Sequence, residues 1–169
     1  GSSGVEELKQ QTINILSFQK SPQAVFGRQL AFNLLSRLGE DAKATLIASE
    51  RVIASHIKAL LETGSPLPSL ALIQAPVFHS HAFSFFVEVD AAVSIADLEK
   101  CLESDAVSVS ATGDEPPSPV QVAGTDGIQI GGMKRDFLNP RGVWFWAVSD
   151  NLRLAAVNAV VAAERHLLQ

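Results

Sequence analysis

Between positions 74 and 81 the chain reads Gln74-Ala75-Pro76-Val77-Phe78-His79-Ser80-His81, its densest run of side chains able to bind a ligand or move a proton. Alternate residues of an extended chain share a side, so His79 and His81 have the least geometry that two metal ligands require. A protein metal site takes three or four ligands. The other histidines, His56 and His166, fall on predicted helices without ligand spacing to this pair, so no metal site is expected. The residues leave open a solvated imidazole, a hydrogen-bonded one, or a general base working near neutral pH.

Cys101 is the single thiol of the chain. It falls three residues after Leu98 in a predicted helix, with only Lys100 nearby as a cation, and a packing role is expected in preference to a nucleophilic one. Lys134, Arg135 and Arg141 form a small basic group on a segment rich in turn formers. Such a group fits a phosphate or a carboxylate, although solvation is its default state.

The elements that must position these residues follow from periodicity. Val5, Leu8, Thr12 and Leu16 predict a first helix with one apolar stripe, and Ser3 with Glu6 reads as a capping box before it. Pro22 breaks the pattern, and residues 24–38 have no clean period and read as an irregular strand or loop. Leu46, Ile47, Ile53, Ile57, Leu60 and Leu61 predict an amphipathic helix over 41–62, about six turns, stopped by Gly64 and Pro66. Two strands are predicted at 70–78 and 81–89. The second puts Phe83, Phe85, Val87 and Val89 on one face and Ser84, Phe86 and Glu88 on the other, so both faces need cover.

Ser94 with Asp97 caps a short predicted helix to about residue 104, followed by a strand at 107–111 and a loop through Pro116, Pro117 and Pro119. Further strands are predicted at 127–132 and 142–149. The last helix, 150–168, capped by Ser149 or Asp150, is apolar on nearly every side, and such a helix is expected to be buried. The order predicts an α+β domain with a mixed, mostly antiparallel sheet and helices packed on one face. No strand, glycine turn and helix of the dinucleotide-binding kind is legible, so no cofactor site is expected in this chain.

The 169 residues suffice for one domain with its own core, and 47% hydrophobic against 18% charged residues argues against disorder. A net charge of −5 offers no footprint for nucleic acid or an anionic membrane. With one cysteine, no internal disulfide is possible, and a reducing cytoplasm is the expected compartment.

Five landmarks occur in order: Gly4-Val5-Glu6-Glu7-Leu8, the run from Phe26-Gly27-Arg28-Gln29-Leu30-Ala31-Phe32-Asn33 to Leu35, the block from Gln74 to His81, Gly131-Gly132-Met133-Lys134-Arg135-Asp136, and Val148-Ser149-Asp150-Asn151-Leu152-Arg153. Together they resemble the aspartate-semialdehyde dehydrogenases, and the Phe-Gly-Arg-Gln form most resembles their Usg-like branch. The resemblance implies that residues 1–169 are the dimerisation domain of such a protein. The NADP-binding Rossmann domain, the nucleophilic cysteine and an active-site glutamine would lie before Gly1. The final helix would pack on that Rossmann domain, supplied in cis or in trans, and the domain would form a homodimer through its sheet. The resemblance also puts the family's acid–base histidine at His81. Where active members carry an arginine for the substrate carboxylate, seven residues earlier, this chain has Gln74, and a neutral amide lacks both the charge and the fork of a guanidinium. The family's phosphate-holding Glu and Lys have no clear match on the 41–62 helix. The implied function is a dimerisation module with a degenerate substrate site, not an enzyme as the isolated chain. The alternative is a piece of an active NADP-dependent aspartate-semialdehyde dehydrogenase.

Overall fold

The computed structural model describes residues 1–89 and 93–167; Leu168, the expected end of the last helix, lies outside them. The chain divides into two compact units, Gly1–Phe78 and His79–Gln169. Among the described residues no helix is long and apolar enough to cross a membrane.

The first unit is built on helix α1 (Ser2–Leu16). It starts before the expected capping box: Gly1 occupies the cap without a side-chain bond, and Ser3 lies inside the helix. Its buried face also differs from the apolar stripe. Glu7, Leu8 and Gln11 are buried, while Val5 and Leu16 are exposed. The polar pair is buried because residues 22–31 have no ladder partners of their own, and backbone groups shielded from water need partners from somewhere. Glu7 accepts the N–H groups of Val25 (2.7 Å) and Phe26 (3.1 Å). Gln11 accepts those of Leu30 (2.7 Å) and Ala31 (3.0 Å) and donates to the carbonyls of Pro22 (2.8 Å) and Arg28 (3.2 Å). Leu30, Ala31 and Leu35 then close a small core on Leu8.

The irregular reading of 24–38 is therefore correct, and two glycines make it compact. Gly27 has φ 68, and a Cβ on Gly39 would lie 2.1 Å from the Gly27 carbonyl oxygen, so the backbones touch where no side chain fits. Helix α2 (Leu46–Leu60) is shorter than the expected 41–62, because the Thr45 hydroxyl accepts the Ala48 N–H and sets the start one turn later. Leu61 is already extended. No α2 residue is fully buried, and the helix is tied down by Glu50, which accepts the Leu72 N–H at 2.7 Å. The expected strand at 70–78 does not form. A single two-bond bridge joins Gln74 to Leu35 (2.9 and 3.0 Å), and Pro76 has no N–H with which to extend it.

The second unit is a four-stranded sheet in the order β1-β4-β3-β2, with β1 (His81–Glu88), β2 (Val107–Val109), β3 (Ile128–Arg135) and β4 (Gly142–Ser149). The β1/β4 and β3/β4 pairs are antiparallel and β2/β3 is parallel, which makes the mixed α+β sheet the sequence predicts. Strand β2 is shorter than the expected 107–111, while β3 runs three residues past the expected 127–132 into the basic segment. Helix α3 (Ile95–Leu102) is capped as expected: the Ser94 hydroxyl accepts the Asp97 N–H at 3.1 Å. Ile95, Leu98 and Leu102 of α3 cover Ile130, Met133, Val143 and Ala147 on one face of the sheet.

On the other face a loop lies over β3. Trp146 donates its indole N–H to the Pro117 carbonyl (3.0 Å), and a Cβ on Gly131 would stand 2.7 Å from the Pro117 ring. Gly131 and Gly132, at a register shift in β3, are what let the proline pair approach. Strand β1 stays open on both sides, with Phe83, Phe85 and Phe86 each about 40% exposed. Phe85 stacks on Phe145 (centroids 4.9 Å) and Phe86 tilts against Trp144 (4.9 Å).

Helix α4 (Arg153–Leu167) departs from expectation. It is not buried: Val160 and Leu167 are exposed, and Leu154 and Val157 are only partly covered.

The Gln11 amide can be tested directly. Replacing it with methionine keeps the volume but strips partners from four backbone groups, and unsatisfied buried groups cost about 1–3 kcal/mol each. Gln11→Met should destabilise the first unit by roughly 3 kcal/mol or more. Faster hydrogen exchange at Leu30 and Ala31 in mild denaturant would show it; unchanged protection there would refute this account of the unit.

Candidate functional site: the His79-Ser80-His81 turn

The second unit opens on His79-Ser80-His81, and the turn is built around its middle residue. Ser80 has φ 78, in the left-handed region where a residue with a Cβ stays only if its surroundings hold it. Two bonds do so. The Ser80 N–H donates to Asn151 Oδ1 (3.1 Å), and its hydroxyl donates to the Pro119 carbonyl (3.0 Å). Ser80 is buried, whereas His79 and His81 are exposed. Because Ser80 is not extended, the alternation that would put both imidazoles on one side does not apply. Among the described residues no group of three His, Cys, Asp or Glu is placed to hold a metal.

His81 is the first residue of β1 and pairs across the sheet with Ser149. That pairing sets it beside the turn leading into α4. There Asp150, not Ser149, does the capping: its Oδ1 accepts the N–H groups of Leu152 (2.8 Å) and Arg153 (2.9 Å), and its Oδ2 accepts that of Gly124 (2.8 Å). The Arg153 N–H, then those of Gly124 and Leu152, hold the Asp150 carboxyl below the ordinary range, against the cost of its burial; charge on His79 lowers it further. Arg153 makes a two-pronged pair with Asp126 (2.8 and 3.0 Å), pinning the same turn from outside.

The remaining candidates are dispersed. Gln74 belongs to the first unit; it is half-buried, with its amide nitrogen on the Ala75 carbonyl at 3.1 Å. Cys101 is exposed on α3, not packed as expected, because Ile95, Leu98 and Leu102 take the inner face. The basic group is split. Arg135 reaches the Pro140 carbonyl (3.4 Å) and Arg141 the Val89 carbonyl (3.0 Å), which ties down the β3–β4 connection. Lys134 lines an open pocket of about 440 Å³ with Ser84, Pro116, Pro117, Trp144 and Trp146. Ser80 and Asn151 are what sequence reading missed. Their only signal was membership of two landmark runs, because a left-handed serine has no signature of its own.

This α+β architecture, a mixed open sheet with a helix on one face, is that of the C-terminal domain of aspartate-semialdehyde dehydrogenases. A family model described as the semialdehyde dehydrogenase dimerisation domain matches residues 1–154, and the chain belongs to that family. A USG-1 protein homolog of Pseudomonas aeruginosa is 34% identical over 167 residues, and an aspartate-semialdehyde dehydrogenase of Rickettsia bellii is 31% identical over 169. Each alignment covers 97% of this chain and 49% of the relative, so the chain spans about half the length of these curated relatives. A solved probable aspartate-semialdehyde dehydrogenase from Pseudomonas aeruginosa superposes with TM-score 0.87 at 31% identity, over 99% of this chain and 51% of that one. The aspartate semialdehyde dehydrogenase II of Vibrio cholerae, solved in complex with ASA, gives 0.81 at 26%, over 96% and 49%.

The Asp150 cap has a pH signature. Its folded pKa is depressed, so its contribution is complete above the unfolded value of about 4 and is lost as pH falls through the lower folded value. Asp150→Ala should lower Tm at neutral pH, and the gap from the unmodified chain should narrow as pH drops below about 4. Thermal melts followed by circular dichroism across that range check this; a gap independent of pH would contradict it.

Proposed function

We propose that this chain is the pairing half of a Usg-like, aspartate-semialdehyde dehydrogenase-like protein, with a substrate site whose acid–base position is His81 and whose carboxylate-binding position has become Gln74. The observation that carries the reading is the family match over 1–154 together with a sheet whose β1 phenylalanines stay about 40% exposed on both faces. A second copy of the chain is the occupant that a dimerisation domain implies for that surface. The exposed apolar surface of α4 suits a nucleotide-binding domain carrying NADP and the nucleophile, in cis or in trans, with residues 1–169 as the dimerisation domain. An exposed free thiol at Cys101 accords with a reducing cytoplasm.

In this arrangement His81 would pass a proton to and from the reacting centre, and Gln74 would face the substrate's carboxylate with a dipole instead of a charge. A charge-assisted hydrogen bond is worth about 1.5–3 kcal/mol against about 1 for a neutral one, and a guanidinium makes two. The loss is on the order of a hundredfold in binding. A fully active aspartate-semialdehyde dehydrogenase is the second reading, favoured by the Rickettsia relative's name at 31% identity.

Two measurements test the proposal. Light scattering after size exclusion at micromolar concentration should give a dimer mass, and Phe86→Glu should give a monomer that keeps its helical circular dichroism. A monodisperse monomer of the unmodified chain sinks the pairing claim. For the site, the chain fused to a competent nucleotide domain should turn over aspartate semialdehyde weakly. Gln74→Arg should raise kcat/KM by roughly a hundredfold, and adding His81→Ala should abolish the gain. If the unmodified fusion already matches the arginine variant, Gln74 is a working ligand and the degenerate-site reading is wrong.

A further inference from the structure

We propose that Asn151 is a positioning residue for His81, acting through the backbone of Ser80; the proposal deepens the reading of His81 as the acid–base position and rests on it for its catalytic meaning. His81 is a terminal ladder residue, exposed, with Phe83 as a ring neighbour at 6.4 Å. A terminal pairing frays unless the chain entering it is fixed. What enters it is Ser80, left-handed at φ 78, and of the two bonds holding that conformation only one is made by a side chain from elsewhere, the amide oxygen of Asn151. Ser80 is buried, so losing that acceptor leaves its N–H short of a partner and favours a change of backbone conformation.

Asn151 is well placed for the task because its neighbour is immobilised. Asp150 collects three backbone N–H groups, and Ser149, one residue earlier, pairs with His81 itself. The backbone at His81 is thus held from two directions by one short segment, 149–151: across the ladder at His81 and through the turn at Ser80. The Pro119 carbonyl completes the grip, drawing in the loop whose Pro117 holds Trp146. The bond that Asn151 makes here goes to the Ser80 backbone and not to the His81 ring. Its effect passes through where the backbone puts the ring.

Nuclear magnetic resonance of the chain as it stands provides the test. In the unmodified chain the Ser80 amide should exchange with solvent at least about tenfold more slowly than exposed-loop amides; if it exchanges as they do, the proposal falls whatever the variants show. Asn151→Leu, similar in volume but without an acceptor, should remove that protection and move the His81 ring resonances toward those of free histidine, while the Trp144 and Trp146 indole signals stay in place. Asn151→Asp keeps an acceptor and should restore both. Unchanged His81 resonances in Asn151→Leu overturn the proposal, as does failure of the aspartate to rescue. If the leucine variant loses its indole signals, Asn151→Ser, whose hydroxyl is one atom too short to reach, carries the same two expectations. In the Gln74→Arg fusion, Asn151→Leu should lower kcat roughly tenfold with KM little changed. Displaced His81 resonances combined with unaffected turnover in His81→Ala would leave the positioning intact and remove the catalytic reading.

Discussion

The first unit depends on one buried amide. Gln11 uses both ends of its side chain on four backbone groups of a segment that has neither helix nor ladder, and Glu7 one turn earlier takes two more. A hydrophobic residue at either position would offer the loop nothing, since the loop's difficulty is its unpaired N–H and C=O groups. The apolar core around Leu30 and Leu8 sits on the same segment whose groups these side chains satisfy. Hydrophobic burial here is therefore compatible with the loop only because polar side chains satisfy its backbone.

The second unit solves a different problem. Its sheet has one face closed by α3, one face partly closed by a proline loop, and an edge strand of phenylalanines left open. Backbone geometry sets where cover can come from inside: Gly131 and Gly132 admit Pro116 and Pro117 to β3, and Gly142 admits the Phe86 ring, which would lie 2.6 Å from a Cβ there. Side chains removed at these points let other parts of the chain lie flat. A second copy of the chain is the occupant proposed for that open edge.

Much of this was legible in the sequence. Periodicity found β1 and β4 almost to the residue, Ser94 and Asp97 announced α3, and five landmark runs carried the family. Three kinds of information were not legible. Helix α1 hides its polar face inward, so a search for apolar stripes selected Val5 and Leu16, which are exposed. Alternation across 79–81 assumed an extended Ser80, and no residue type signals a left-handed serine. Helix α4 has a composition that implies burial, yet its Val160 and Leu167 are exposed. In the first two cases local pattern gave way to a partner distant in sequence: Arg28 for Gln11 and Asn151 for Ser80.

The placement of the aromatic chromophores has a spectroscopic consequence. The chain has two tryptophans and no tyrosine, and Trp144 and Trp146 both stand on β4, one bonded through its indole to Asp136 and the other to the Pro117 carbonyl. Intrinsic fluorescence therefore sees only the second unit. Emission would follow the release of the proline loop and the uncovering of the sheet, while the first 78 residues, Gln11 and its loop included, contain no tryptophan of their own to report on them. For this protein a single fluorescence transition is a statement about half the chain, and any apparent cooperativity between the halves has to be sought with a probe that is not light emitted by indole.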